Sequence, residues 1–179
     1  LLKGYYVRIY GRELISKISL SHKNIALTLK ELENEGILKS DISGNRKYYS
    51  FNFSNPLLVE KIIYFENLRK IEFLEKNKIL IDLFKEINAK IVCVFGSYAK
   101  GRNLRHSDVD LFTVGKVDSL EIKKIGEKYN LKVQNFNVSL KDFSKMSKEK
   151  TKLFREILNN HILIRGERDF VEEVLKWEN

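Results

Sequence analysis

Proline, cysteine, methionine and tryptophan each occur once in this 179-residue chain. One cysteine, Cys93, excludes a disulfide scaffold, and three histidines beside it are too few for a structural zinc site. No apolar run reaches the roughly 18–20 residues of a membrane span. No signal-peptide pattern precedes the first charged residues. The expectation is a soluble, cytoplasmic chain with no membrane partner. Acid is also in short supply: 24 Asp and Glu stand against 33 Lys and Arg, a formal charge of +9. That balance points to polyanionic partners, nucleic acid or nucleotide phosphates, and otherwise to a lysine-rich solvated surface. With 43% hydrophobic and 32% charged residues the chain is neither disordered nor low in complexity. Its length suits one large domain or two small ones.

The lone proline divides the chain. Asn55-Pro56 reads as an N-cap followed by proline at the first helical position, where its missing N–H costs nothing. Leu57 to Ile87 then carries apolar residues at helical spacing (Leu58, Ile62, Phe65, Leu68, Ile79, Leu83, Ile87), predicting one long or two broken helices. These are more apolar positions than one buried face needs, so the linker is a candidate dimer contact. Three regions follow: 1–55, a helical linker 56–88, and 89–179.

Residues 1–55 hold nine basic and five acidic side chains, net +4. Tyr6 to Ile18 is predicted to be helical, with Val7, Tyr10, Leu14 and Ile18 on one stripe. After the break at Ser19-Leu20-Ser21, His22 to Glu35 is a second helix stopped by Gly36. Ile37 to Ile42 and Arg46 to Phe53 form two strands around Ser43-Gly44-Asn45. Helix, turn, helix, hairpin is the order of a winged helix-turn-helix, and this stretch resembles the ArsR/MarR-like regulators. The resemblance implies double-stranded DNA as a partner. His22, Lys23, Asn24 and Thr28 would face the major groove, and Arg46 and Lys47 would meet phosphate or the minor groove. It also implies a homodimer, joined through this domain and the linker helices.

From Ala89 the pattern alternates. Strands are predicted at Lys90 to Phe95, Asp108 to Val114, Lys132 to Val138 and His161 to Ile164. Helices are predicted at Ser119 to Tyr129, from the capping box Ser139-Leu140-Lys141-Asp142 to about Asn160, and from Glu167 to Trp177. This is an α/β (α+β) domain.

The chemistry-bearing stretch is Val94-Phe95-Gly96-Ser97-Tyr98-Ala99-Lys100-Gly101, followed by Ser107-Asp108-Val109-Asp110-Leu111. Glycine at a strand-to-helix turn lets backbone approach a ligand closely. The N–H groups of the turn and the Ser97 hydroxyl make a phosphate-sized anion site. Asp108 and Asp110, two apart on a strand, share one face, where two carboxylates repel unless a cation lies between them. Oxygen donors of this kind suit Mg²⁺ or Mn²⁺ bridged to nucleotide phosphates. Alone, an Asp-x-Asp pair reads rather as a solvated strand end, since such pairs are common. The whole combination of apolar strand, Gly-Ser, ten residues and Asp-Val-Asp-Leu is similar to the signature of the nucleotidyltransferase superfamily related to DNA polymerase beta. Its minimal members are the nearest in pattern.

That resemblance, over residues 89–179, implies a mixed sheet flanked by helices and a nucleoside triphosphate, ATP first, held with Mg²⁺. Gly96 and Ser97 match the phosphate-binding pair, and Asp108 and Asp110 the first two metal carboxylates and catalytic residues. Lys100 and Arg102 fall where the family often carries a basic phosphate contact. Active members usually add a third carboxylate on a neighbouring strand. Here Lys132-Val133-Gln134-Asn135-Phe136-Asn137-Val138 offers only the amides Gln134, Asn135 and Asn137. Nucleotide binding is therefore better supported than turnover. Two functions follow: a DNA-binding regulator with a nucleotide-binding domain, or an antitoxin-type enzyme that transfers NMP to a protein such as a HEPN-type toxin. A pure docking module is a third. Arg105 and His106 read as loop polarity, Asp142 as a helix cap, Cys93 as a buried hydrophobe and His161 as a packed or exposed histidine and not a catalytic base.

Overall fold

The computed structural model describes residues 5, 8–15, 18, 20–104 and 106–177. The chain divides into two compact units, Leu1–Lys61 and Ile62–Asn179.

In the first unit, β1 (Ile9–Tyr10) leads into α1 (Gly11–Ile15), α2 (His22–Asn34), β2 (Leu38–Ser43) and β3 (Arg46–Phe51). The strands form an antiparallel sheet in the order β1-β3-β2. This corrects the helix predicted from Tyr6 to Ile18. Ile9 and Tyr10 pair with Tyr49 and Tyr48, and helix begins only at Gly11. The remaining parts of that prediction at Tyr6, Val7 and residues 16 and 17 lie outside the described residues, as does Ser19 of the break. Helix α2 starts where Ser21 accepts a hydrogen bond from the Asn24 N–H at 3.2 Å. Ile9, Leu14, Ile25, Leu29, Leu38, Tyr49 and Phe51 are buried, the inward halves of helical and strand periods. The two hairpin strands pair from Leu38↔Phe51 to Ser43↔Arg46, with Gly44 at positive φ in the turn.

The linker is two helices, α3 (Leu58–Lys76) and α4 (Ile79–Glu86). The second unit continues with β4 (Ile91–Phe95), the short α5 (Gly96–Ala99), β5 (Val109–Val114), α6 (Ser119–Lys128) and β6 (Val133–Val138). It closes with α7 (Leu140–Glu149), α8 (Lys152–Asn159), β7 (Ile162–Arg165) and α9 (Glu167–Leu175). The sheet order is β6-β5-β4-β7, with β5 and β6 parallel and the other pairs antiparallel. The single helix predicted from Ser139 to Asn160 is two. Lys150 adopts a left-handed backbone, and Thr151 caps the second helix by accepting from the Phe154 N–H at 3.4 Å.

Both faces of this sheet are covered, which is why β4 is buried along its whole length. On one face Val92, Val94, Val109 and Leu111 pack with Leu80, Leu83 and Phe84 of α4 and Ile122 of α6. On the other, Phe112 meets Phe143 of α7, which in turn contacts Phe154 of α8 and Phe170 of α9, ring centroids 5.5–6.0 Å apart. Asp110 and Phe112 share that second face by strand parity. Helix α8 therefore lies over the side of the sheet on which the carboxylates stand.

One polar cluster is buried in this unit. Glu66 on α3 is 3% exposed and accepts from Arg69 at 3.0 Å through both carboxylate oxygens. Arg69 also donates to the His161 carbonyl at 2.5 Å. The His161 ring is buried and places Nδ1 3.1 Å from the carbonyls of Ile157 and Leu158 and Nε2 3.5 Å from Glu66. The network fixes α3 to the end of α8.

Candidate active site

The site is built where β4 ends. An extended Phe95 hands over to Gly96, whose φ of +68° turns the chain into α5. Phe95 pairs directly with Asp110 on β5, so the turn and the carboxylate meet across one rung of the sheet. The approach is close. A Cβ at Gly96 would fall 2.0 Å from Asp110 Oδ2, so any side chain there displaces the carboxylate. Glycine is thus required twice, by the backbone angle and by the space.

The Ser97 backbone N–H donates to Asp110, which favours the ionised carboxylate. Against that, burial, the charge of Asp108 and the charge of Glu156 raise the Asp110 pKa above the usual carboxylate range, with Lys100 opposing them. Lys100 and Arg102 are exposed. Lys100 acts on Asp110 through its charge, whereas Arg102 joins the turn through its backbone, its N–H donating to the Ser97 carbonyl at 3.0 Å. Arg105 lies outside the described residues, and His106 is an exposed loop residue.

The parallel register aligns Asp110 with Gln134 on β6, and Gln134 Nε2 donates to Asp108 Oδ2 at 2.8 Å. The strand position beside the carboxylates is therefore a neutral amide. Asn135 and Asn137 point to the opposite face, where both bond the buried Thr113 hydroxyl at 3.1 and 3.0 Å. They are not part of the site. Asp142 is a cap partner of Ser139: its N–H donates to the Ser139 hydroxyl oxygen at 3.1 Å, and that hydroxyl donates back to its carboxylate at 2.6 Å.

The residue that sequence reasoning missed is Glu156. It is exposed on α8, beside an open cleft of about 490 Å³ lined by Lys152, Arg155, Glu156, Asn159 and Asn160, and its charge reaches Asp110. No group of three or more His, Cys, Asp or Glu side chains placed to hold a metal occurs among the described residues. The side chains on this face that could hold a metal are the two carboxylates Asp108 and Asp110, with the Gln134 side chain beside them. That set fits a hard divalent cation: the donors are oxygens, and a cation between Asp108 and Asp110 removes the repulsion that raises Asp110.

In the first unit, His22, Lys23, Asn24 and Thr28 are all exposed on α2. Arg46 lies over the Tyr10 ring at 5.4 Å. Lys47 bonds Glu33 at 2.7 Å, and Glu33 also accepts from Ser40. These contacts lower the Glu33 pKa and raise that of Lys47.

A strand ending in Gly-Ser against an Asp-x-Asp strand, on a mixed sheet flanked by helices, defines a nucleotide-transfer fold. Residues 75–164, half of the chain, match the family model described as "Nucleotidyltransferase domain", and the chain belongs to that family. The match begins within α3 and includes α4, so the family fold starts inside the linker predicted from sequence. Among curated proteins the chain is 27% identical over 144 residues to a component of the ATP-dependent helicase/deoxyribonuclease of Alkaliphilus metalliredigens (strain QYMF). That alignment covers 70% of this chain and 12% of the relative, so the chain spans about an eighth of that protein's length. Among solved structures, a toxin-antitoxin with AMP-PNP aligns at 19% identity, covering 56% of this chain and 82% of the other, with a TM-score of 0.40. A Sulfolobus solfataricus chain assigned as a nucleotidyltransferase aligns at 17%, covering 56% and 84%, with a TM-score of 0.27. Overlaps this low establish no shared fold, and membership rests on residues 75–164. No helix among the described residues is long and apolar enough to cross a membrane.

Proposed function

We propose that the chain is a cytoplasmic DNA-binding regulator whose C-terminal domain binds a nucleoside triphosphate, ATP first, with Mg²⁺, and transfers its nucleotidyl group slowly or not at all. The observation that carries the nucleotide half is the contact of Gly96 with Asp110. A phosphate-sized turn and a metal-binding carboxylate are joined on one rung of the sheet, at a position where only glycine fits. Asp108 and Asp110 hold the cation, which supplies charge neutralisation and a template for phosphate oxygens. The backbone N–H groups of the turn and the Ser97 hydroxyl bind phosphate, and Lys100 adds positive charge, with Arg102 beside it. Gln134 holds Asp108 in place. Having no ionisable oxygen, it does not take a proton from an attacking hydroxyl, which is the reason for slow transfer.

The DNA half rests on an exposed polar α2, capped by Ser21, beside a two-stranded hairpin in a unit with a basic balance. Read as a winged helix, the unit would turn His22, Lys23, Asn24 and Thr28, all exposed, toward the major groove and Arg46 and Lys47 toward phosphate. Fluorescence anisotropy on duplex DNA tests it. The expected signal weakens across all sequences in Arg46→Ala, with a shallower salt dependence. No binding by the unaltered protein at low salt refutes this half.

One observation favours a second reading, transfer of NMP from the triphosphate to a protein acceptor such as a HEPN-type toxin. The Glu156 carboxylate stands close enough for its charge to act on Asp110, and a base from α8 would replace the one β6 lacks. Incubation with triphosphate labelled on the α-phosphate and a candidate acceptor separates the two. Rapid stoichiometric labelling that Glu156→Gln abolishes selects the enzyme.

A further inference from the structure

Helix α3 turns one face inward, burying Ile62, Glu66 and Phe73. Its opposite face is apolar as well. Tyr64, Phe65, Leu68 and Ile71 are 61%, 40%, 46% and 52% exposed, and the Tyr64 and Phe65 rings meet edge to face at 5.7 Å. At i, i+1, i+4 and i+7 these four form one stripe nearly two turns long. Single exposed apolar residues are ordinary, but a contiguous stripe of four large ones marks a contact surface. The stripe is bordered by Lys61 in the first turns of the helix and by Glu72 and Glu75 toward its end.

We propose that this face pairs with the same face of a second copy of the chain, the two α3 helices running antiparallel about a two-fold axis through Leu68. The argument is self-complementarity. A two-fold contact joins residues equally distant from the axis on opposite sides. Leu68 then meets the partner's Leu68, Phe65 meets the partner's Ile71, and Tyr64 presents its hydroxyl to the partner's Glu72. Lys61, whose ammonium already meets Glu35 of its own chain at 3.2 Å, faces the partner's Glu75. Apolar side chains oppose apolar ones and each charge opposes a complementary group. The parallel arrangement sets Glu72 against Glu72 and Glu75 against Glu75, juxtaposing like charges. Only the antiparallel register satisfies both the stripe and its borders.

Light scattering on the full chain at tens of micromolar should give twice its 21.1 kDa. Leu68→Asp places two carboxylates on the axis, and it should raise the dissociation constant on the order of 100-fold or more while leaving the circular dichroism unchanged. Cysteine cross-linking reads the direction, since the native Cys93 is fully buried. Leu68→Cys should oxidise to a covalent dimer by itself. Phe65→Cys and Ile71→Cys should cross-link when mixed and not when alone. A monomeric unaltered chain, a dimer indifferent to Leu68→Asp, or Phe65→Cys cross-linking with itself each overturns the proposal.

Discussion

Replacing Gly96 with alanine is the sharpest perturbation of the site, because two independent costs fall on one methyl group. The backbone φ of +68° disfavours any residue with a Cβ, at about 1–2 kcal/mol. The methyl would also stand 2.0 Å from Asp110 Oδ2 and 2.9 Å from its Cγ, far inside contact distance. Relief requires Asp110 to swing away, breaking its bond from the Ser97 N–H and removing it from the face it shares with Asp108. Gly101 is the internal control. Its φ is +63°, but a Cβ there meets nothing within 4 Å. Gly101→Ala should therefore lose about 1–2 kcal/mol in urea unfolding and keep metal-dependent nucleotide binding. Gly96→Ala should lose more than this and bind no nucleotide. If the two variants cost the same and both still bind, the contact between turn and carboxylate has no functional part.

Four further outcomes follow from the same structure. Asp110 has a raised pKa in the folded chain, so its ionisation costs stability, and the penalty develops as pH rises through its folded pKa. Asp110→Asn should be more stable than the unaltered protein at neutral pH without metal, the gain vanishing in acid, as thermal melts across pH would show. Arg69→Ala removes the bidentate partner of the buried Glu66 carboxylate, with His161 still beside it, and should cost about 3 kcal/mol in denaturant unfolding, the low end for a broken buried pair. Burial pushes the Cys93 thiol well up, so thiol reagents should label it only in denaturant. Glu33→Gln releases Lys47 from its ion pair and removes a negative charge beside the hairpin, so duplex DNA should bind more tightly at low salt in an anisotropy titration.

The parts of the site legible in the sequence are those set by local periodicity. Gly96 and Ser97 follow directly on an apolar strand, and Asp108 and Asp110 share a face by strand alternation. The absence of a carboxylate between Lys132 and Val138 is plain, though not which of Gln134, Asn135 and Asn137 stands in its place. What stayed hidden depends on contacts far apart in the chain. Tyr10 falls on a helical stripe with Val7, Leu14 and Ile18, and only pairing with Tyr48 and Tyr49 makes Ile9 and Tyr10 a strand. The break between α7 and α8 occurs at Lys150, a left-handed lysine where glycine would have announced it, and Thr151 caps the helix that follows. Glu156 depends on that break, because α8 reaches the carboxylate face only after the chain has turned. The buried partnership of Glu66 and Arg69 was equally unreadable, since an i, i+3 pair on an amphipathic helix is normally a surface feature. The exposed stripe on α3 was visible as a surplus of apolar positions in the linker.

In the proposed function Asp108 and Asp110, with the Gly96-Ser97 turn, hold a nucleotide through a divalent cation. Calorimetry with ATP tests it most directly, comparing the unaltered chain with Asp108→Asn, each with and without Mg²⁺. One saturable site is expected in the unaltered protein, present only with Mg²⁺ and lost in Asp108→Asn. Identical traces from the two proteins, or binding indifferent to the metal, would contradict it.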